Sequence, residues 1–148
     1  MVIGLTGGIG CGKSTALAGC ESEGAKTVDS DAVVKALLDE DKLVRSALRD
    51  RFGKRIFGRR GKIDRKHLAS IVFGCPGDLD WLETLLHPLV RKHWELSVRA
   101  MPRALWVIEI PLLFEKNLEK LFDFTVCVSA SQSLQLARLR AKGFTDEQ

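Results

Sequence analysis

The chain has 148 residues, long enough for one substantial core, and its 45% hydrophobic and 28% charged content is that of an ordinary globular protein. No apolar run approaches the ~20 residues that span a bilayer, and residues 1–6 lack the basic region and cleavage site of a secretory leader, so the sequence reads as cytoplasmic with no membrane partner. A net charge of +4 is too mild to argue for nucleic acid, and Cys11, Cys20, Cys75 and Cys127 have neither zinc nor CxxC spacing, which leaves reduced thiols.

In chain order, strand-like apolar runs occupy residues 2–6, 27–29, 105–110 and 124–128. Helical patterns cover 13–21, 31–38, 42–52, 65–72, 78–86, 89–101 and 131–142, the last with Ser131 as its N-cap. The 89–101 helix has an apolar stripe of Val90, Trp94, Val98 and Met101 opposite Arg91, Lys92, Glu95 and Arg99. Short apolar strands alternating with helices predict an α/β fold, a parallel sheet covered by helices on both faces. Leu105 to Ile108 is continuously apolar, as a central strand should be. The expected organisation is one domain over residues 1–148, with a core of 1–40 and 103–148 and a helical insertion over about 41–102.

The strongest motif is Gly7-Gly8-Ile9-Gly10-Cys11-Gly12-Lys13-Ser14-Thr15, a match to GxxxxGK[ST] between a predicted strand and a predicted helix. By average residue usage, a chance match in a chain this long is on the order of 0.5%. The chemistry explains the residue types. Backbone N–H groups that wrap a phosphate need small residues, which Gly7, Gly8, Gly10 and Gly12 supply with Cys11 among the ATP-binding positions, and the following helix adds its positive end. Lys13 is expected to reach the outer phosphates, Ser14 to bind Mg²⁺, and Thr15 to help at the α-phosphate. The motif announces a nucleotide triphosphate without naming an acceptor.

Further segments carry a resemblance over essentially the whole chain. They are Thr6-Gly7-Gly8-Ile9-Gly10, Asp29-Ser30-Asp31, Phe52-Gly53, Gly61-Lys62-Ile63-Asp64-Arg65, Leu68, Val72-Phe73, His87-Pro88-Leu89-Val90-Arg91 and Pro111-Leu112-Leu113-Phe114-Glu115. Taken together and in this order they resemble dephospho-CoA kinases. The resemblance implies a P-loop α/β/α kinase that transfers the γ-phosphoryl of ATP to the ribose 3′-hydroxyl of dephospho-CoA, the last step of coenzyme A synthesis, with Mg²⁺. ATP and dephospho-CoA are the implied partners.

On that resemblance, Asp31 is the expected base for the acceptor hydroxyl, with a helix N-cap as its structural alternative. His87 and Arg91, four apart, would line the acceptor pocket. Arg91 suits a phosphate, and its alternative is an exposed pair with Glu95. Leu112, Leu113 and Phe114 would pack the acceptor or simply belong to the core. Glu109 ends a strand, where it would face Mg²⁺ or serve structure. Cys11, often serine in relatives, would be an activated thiol or merely a small residue. Arg138, in a helix resembling the one that leads into the family's lid, would bind ATP and share a face with Lys142.

The resemblance also implies that this sequence stops within the lid. From this follow an expectation of weak or absent turnover and an exposed edge open to association. The rival readings are a kinase for another small hydroxyl acceptor and a nucleotide-binding fragment without catalysis. The basic residues Lys54, Arg55, Arg59, Arg60 and Lys62 read as a solvated loop rather than a nucleic-acid surface.

Overall fold

The computed structural model describes residues 1–141 and 143. The elements are β1 (Val2–Gly7), α1 (Lys13–Ser22), β2 (Lys26–Asp29), α2 (Ser30–Glu40), α3 (Lys42–Phe52), α4 (Arg65–Phe73), α5 (Pro76–Ala100), β3 (Trp106–Glu109), β4 (Phe124–Val128) and α6 (Gln132–Ala141), with short 3₁₀ turns between them. Most agree with the sequence pattern to within a residue or two. Lys142, expected to close the last helix, lies outside the described residues.

The long helical middle differs. Where two helices meeting at Pro88 were expected, α5 runs through Pro88 without ending. Proline denies the helix one N–H and disfavours the helical form of the residue before it. Here Leu86 and Val90 are both buried on either side of it, so burial outweighs the local bias.

The chain divides into two compact units, Met1–Ser30 with Leu96–Gln148, and Asp31–Glu95. The sequence pattern suggests cuts nearer residues 40 and 102. The difference arises because α2 points its apolar residues Val34, Leu37 and Leu38 into the helical unit's core.

The first unit is built on a four-stranded parallel sheet in the order β2-β3-β1-β4. β3 is buried along its whole length, as its unbroken apolar sequence requires. Side chains alternate across β1. Leu5 packs with Leu17 of α1, Ala25 and Val107 on one face. Gly4 faces the other way, where a Cβ would sit 2.7 Å from Leu113 Cδ1 and 2.8 Å from Phe122 Cδ2. Leu113 and Phe122 therefore cover β1 closely, and only a residue without a side chain fits beneath them. β4 forms one edge of the described sheet, with Phe124 and Val126 exposed.

The second unit is helical. α3 begins at Asp41, whose carboxylate accepts from Leu43 N (2.8 Å) and Val44 N (2.9 Å), and it ends at Gly53. Val44, Leu48 and Phe52, spaced four apart, are all buried. They join Leu38, Ile56, Ile63, Leu68, Val72 and Leu86 in one cluster. Two arginines of α3 tie down the segment that follows it. Arg45 and Arg49 lie over the Phe57 ring at 5.6 and 5.0 Å, and Arg45 Nη2 donates to the Gly61 carbonyl.

Leu48 is fully buried and Leu43, on the opposite face of α3, is 82% exposed. Leu48→Ala is expected to lower the unfolding free energy by ~2–5 kcal/mol, and Leu43→Ala by less than about 0.5 kcal/mol. Urea unfolding of the two variants checks the contrast.

Candidate phosphate-binding site

The site grows out of β1. Its last residue, Gly7, has φ 148, and a Cβ there would overlap the Val128 carbonyl oxygen of β4. Only glycine lets the chain leave the sheet this close to its neighbour. Gly10 (φ 73) and Gly12 (φ 101) are also left-handed. Gly12 is the residue from which α1 starts, and no side chain caps that end. The first N–H groups of α1 therefore lack side-chain acceptors, which makes the end suited to an anion.

Lys13 folds back over the loop. Its Nζ donates to the carbonyls of Gly7 (2.8 Å) and Gly8 (3.2 Å). Ser14 and Thr15 follow on the first turn of α1, exposed. Cys11 is 7% exposed, and its N–H donates to the Gly8 carbonyl at 3.3 Å. The thiol expected to be open to reagents is thus largely covered.

A second group of polar residues lies at the ends of the strands. Register places Glu109 opposite both Leu5 of β1 and Asp29 of β2. Glu109 is 4% exposed, and Ser30 is 6% exposed with its Oγ making no hydrogen bond. Ser30 was not singled out in the sequence, where it is only the middle letter of Asp29-Ser30-Asp31. The signal was its place at the end of a strand, the position where ligands bind in parallel α/β sheets.

Helix α6 completes the loop's surroundings. Ser131 caps it, accepting from Leu134 N at 3.4 Å. Gln135 backbone atoms would lie 3.1–3.2 Å from a Cβ on Gly10. Arg138 Nη1 donates to the carbonyls of Gly10 (3.1 Å) and Cys11 (3.0 Å). Its predicted companion Lys142 is outside the described residues.

The family model described as dephospho-CoA kinase matches residues 1–148. The chain belongs to the dephospho-CoA kinase family. It is 39% identical to the dephospho-CoA kinase of Synechococcus sp. (strain CC9902) over 95% of this chain and 71% of that protein. The dephospho-CoA kinase of Streptomyces avermitilis is 37% identical over 98% of this chain and 72% of its own length. A crystal structure of a Thermus thermophilus protein superposes with a TM-score of 0.84 at 36% identity, covering 99% of this chain and 75% of that one. The dephospho-CoA kinase structure from Campylobacter jejuni (TM-score 0.62, 20% identity, covering 96% of this chain and 95% of that one) shares the fold.

The segments through which the sequence resembles dephospho-CoA kinases fall in both units. In the first unit, Leu112, Leu113 and Phe114 follow β3 in a turn closed by Lys116 N donating to the Leu112 carbonyl. Leu112 has φ 55, unusual for a residue with a side chain. It is 50% exposed and Phe114 is 47% exposed, whereas Leu113 is fully buried under Gly4. The structure thus gives Leu113 to core packing, the alternative left open by the sequence, and leaves its two neighbours accessible.

In the second unit, Asp31 lies in the first turn of α2, which begins at Ser30. It is exposed and makes no hydrogen bond among the described residues, so it is not acting as an N-cap. His87 and Arg91 are both exposed on α5. Arg91 Nε donates to Glu95 Oε1 at 2.6 Å, the helix-surface pair that was its structural alternative. Such a pair is worth little in water.

Two further facts bear on ligands. No helix among the described residues is long and apolar enough to cross a membrane. Among them, no three His, Cys, Asp or Glu side chains cluster so as to hold a metal ion by themselves.

Gly7→Ala is expected to cost at least ~1–3 kcal/mol, because it adds both left-handed strain and overlap with Val128. The checking measurement is the denaturation midpoint beside Gly19→Ala, where the new methyl meets nothing within 4 Å.

Proposed function

We propose that this chain transfers the γ-phosphoryl group of ATP to the ribose 3′-hydroxyl of dephospho-CoA. The observation that carries the reading is the loop from Gly7 to Lys13, with Lys13 folded over its carbonyls, in a chain of the dephospho-CoA kinase family.

Phosphoryl transfer through a loose transition state asks a protein mainly for positioning and charge. On the ATP side, Gly8, Gly10, Cys11, Gly12 and Thr15 line the phosphate cradle, and Arg138 belongs to the same side. Lys13 has a flexible stem and three donors, so its ammonium can exchange the Gly7 and Gly8 carbonyls for phosphate oxygens without moving the backbone. On the acceptor side, Asp31 accepts the proton of the attacking hydroxyl. Its exposed carboxylate, bonded to nothing among the described residues, is free for that role. His87 and Arg91 contact the acceptor, Arg91 by giving up Glu95 for a phosphate oxygen. Leu112 and Phe114 offer it an apolar surface.

The residues fit a magnesium ion. Ser14, Ser30, Asp29 and Glu109 bring only hard oxygen donors, and the buried Ser30 Oγ is an orphan that such a site would satisfy. When bound with ATP, the ion neutralises charge on the phosphate oxygens. Two carboxylates with hydroxyls form an open set, as expected for an ion held partly by the nucleotide itself.

The test is transfer from labelled ATP to dephospho-CoA and to a panel of nucleosides and other small alcohols, with magnesium. Label entering dephospho-CoA alone is expected. Transfer to another acceptor but not to dephospho-CoA would overturn the acceptor, and ATP binding without any transfer would overturn the enzyme reading. Lys13→Ala is expected to lower kcat by ~10²–10³. Asp31→Asn should lower it by ~10²–10⁴ while leaving ATP affinity within about twofold, as measured by calorimetry.

A further inference from the structure

Lys13 and Arg138, both in the first unit, grip different parts of the loop. Lys13 takes the carbonyls of Gly7 and Gly8. Arg138 takes those of Gly10 and Cys11, reaching them from α6 with the same nitrogen. A trans peptide sets its N–H antiparallel to its C=O. With the Cys11 carbonyl turned toward the guanidinium, the N–H of Gly12 must point away from it. The neighbouring peptide obeys the same rule. Its Gly10 carbonyl faces Arg138 while its Cys11 N–H turns back to the Gly8 carbonyl.

Two glycines make this grip possible. A Cβ on Gly12 would lie 3.1 Å from Arg138 Nη1, and one on Gly10 would lie 3.1 Å from the Gln135 carbonyl oxygen. Gln135 and Arg138 are three apart on α6, so one helix face presses on two left-handed glycines of the loop. Left-handed glycines are the residues with the most freedom to flip.

We propose that Arg138 is a positioning residue of the phosphate loop. By holding the outward carbonyls of Gly10 and Cys11, it keeps the Cys11–Gly12 peptide oriented with the Gly12 amide hydrogen on the side where a phosphate is bound. It acts on ATP through the loop rather than as a direct phosphate ligand. The proposal rests on the phosphate-binding reading of this loop and is independent of the acceptor.

The buried Cys11 thiol, within the gripped segment, reports on the loop without nucleotide. Alkylation by iodoacetamide is followed at each cysteine by peptide mass spectrometry in ligand-free protein, with the exposed Cys75 and Cys127 as internal references. Arg138 is itself exposed, so its replacement leaves the core intact. In Arg138→Ala, Cys11 should be labelled at least about fivefold faster while Cys75 and Cys127 keep their rates. The Kd for ATP should rise about tenfold, the scale of losing one charge-assisted hydrogen bond. Arg138→Lys keeps the charge but ends one bond shorter than Nη1, short of the two carbonyls that this one nitrogen holds, and it should follow Arg138→Ala at Cys11. Unchanged Cys11 labelling in both variants would overturn the proposal, and if ATP affinity then falls in Arg138→Ala but survives in Arg138→Lys, direct contact by charge replaces it. Faster labelling at all four cysteines in both variants would also overturn it, because Arg138 would then hold the fold rather than the loop. If the unaltered chain binds no ATP, the phosphate-loop reading fails, while the labelling still decides whether Arg138 holds the loop.

Discussion

The passage of the chain from β1 into its loop, squeezed against the Val128 carbonyl at Gly7, is the constraint on which the first unit depends. β1 lies between β3 and β4 and is paired in parallel with both. Its end is therefore crowded on each side, and a chain leaving that end must turn without a side chain. The turn delivers successive backbone N–H groups and then a helix start to one place. Lys13 and Arg138 each bond carbonyls of the same short loop. With carbonyls held by cations, part of the amide edge remains for an anion, which is how an uncharged peptide segment comes to suit a phosphate.

The same economy appears on the other face of β1. Gly4 leaves room for Leu113 and Phe122 to lie against the sheet. Leu113 thereby anchors a turn whose neighbours Leu112 and Phe114 stay exposed. In this turn one residue is packed and its two neighbours are accessible. The motif thus reads as a unit in sequence while its members divide in role.

Much of this was legible from residue order. The Gly-rich loop, its setting between strand and helix, and the buried character of β3 follow from composition and period. The identity of α3 follows from Asp41, the i, i+4 spacing of Val44, Leu48 and Phe52, and the stop at Gly53. What misled was local rule against distant packing. Pro88 reads as a break because its missing N–H is a local fact, whereas the burial of Leu86 and Val90 that carries α5 through it is not. Ser30 has no sequence signal beyond its place at a strand end, and only burial shows that its hydroxyl lacks a partner. Arg91 pairs with Glu95, the alternative that the i, i+4 spacing already contained.

The sequence by itself determined the chemistry at hand. A run of glycines ending in Gly-Lys-Ser can wrap a phosphate because the conformations it needs are open to glycine alone, and the family blocks named the acceptor class. Only the tertiary structure decided which side chains are accessible and which peptides are held. Leu113 against Leu112, the covered thiol of Cys11 and the grip of Arg138 on Gly10 and Cys11 all depend on residues far apart in the chain. Burial and hydrogen bonding across 127 or 128 positions have no period, spacing or composition by which a sequence could announce them.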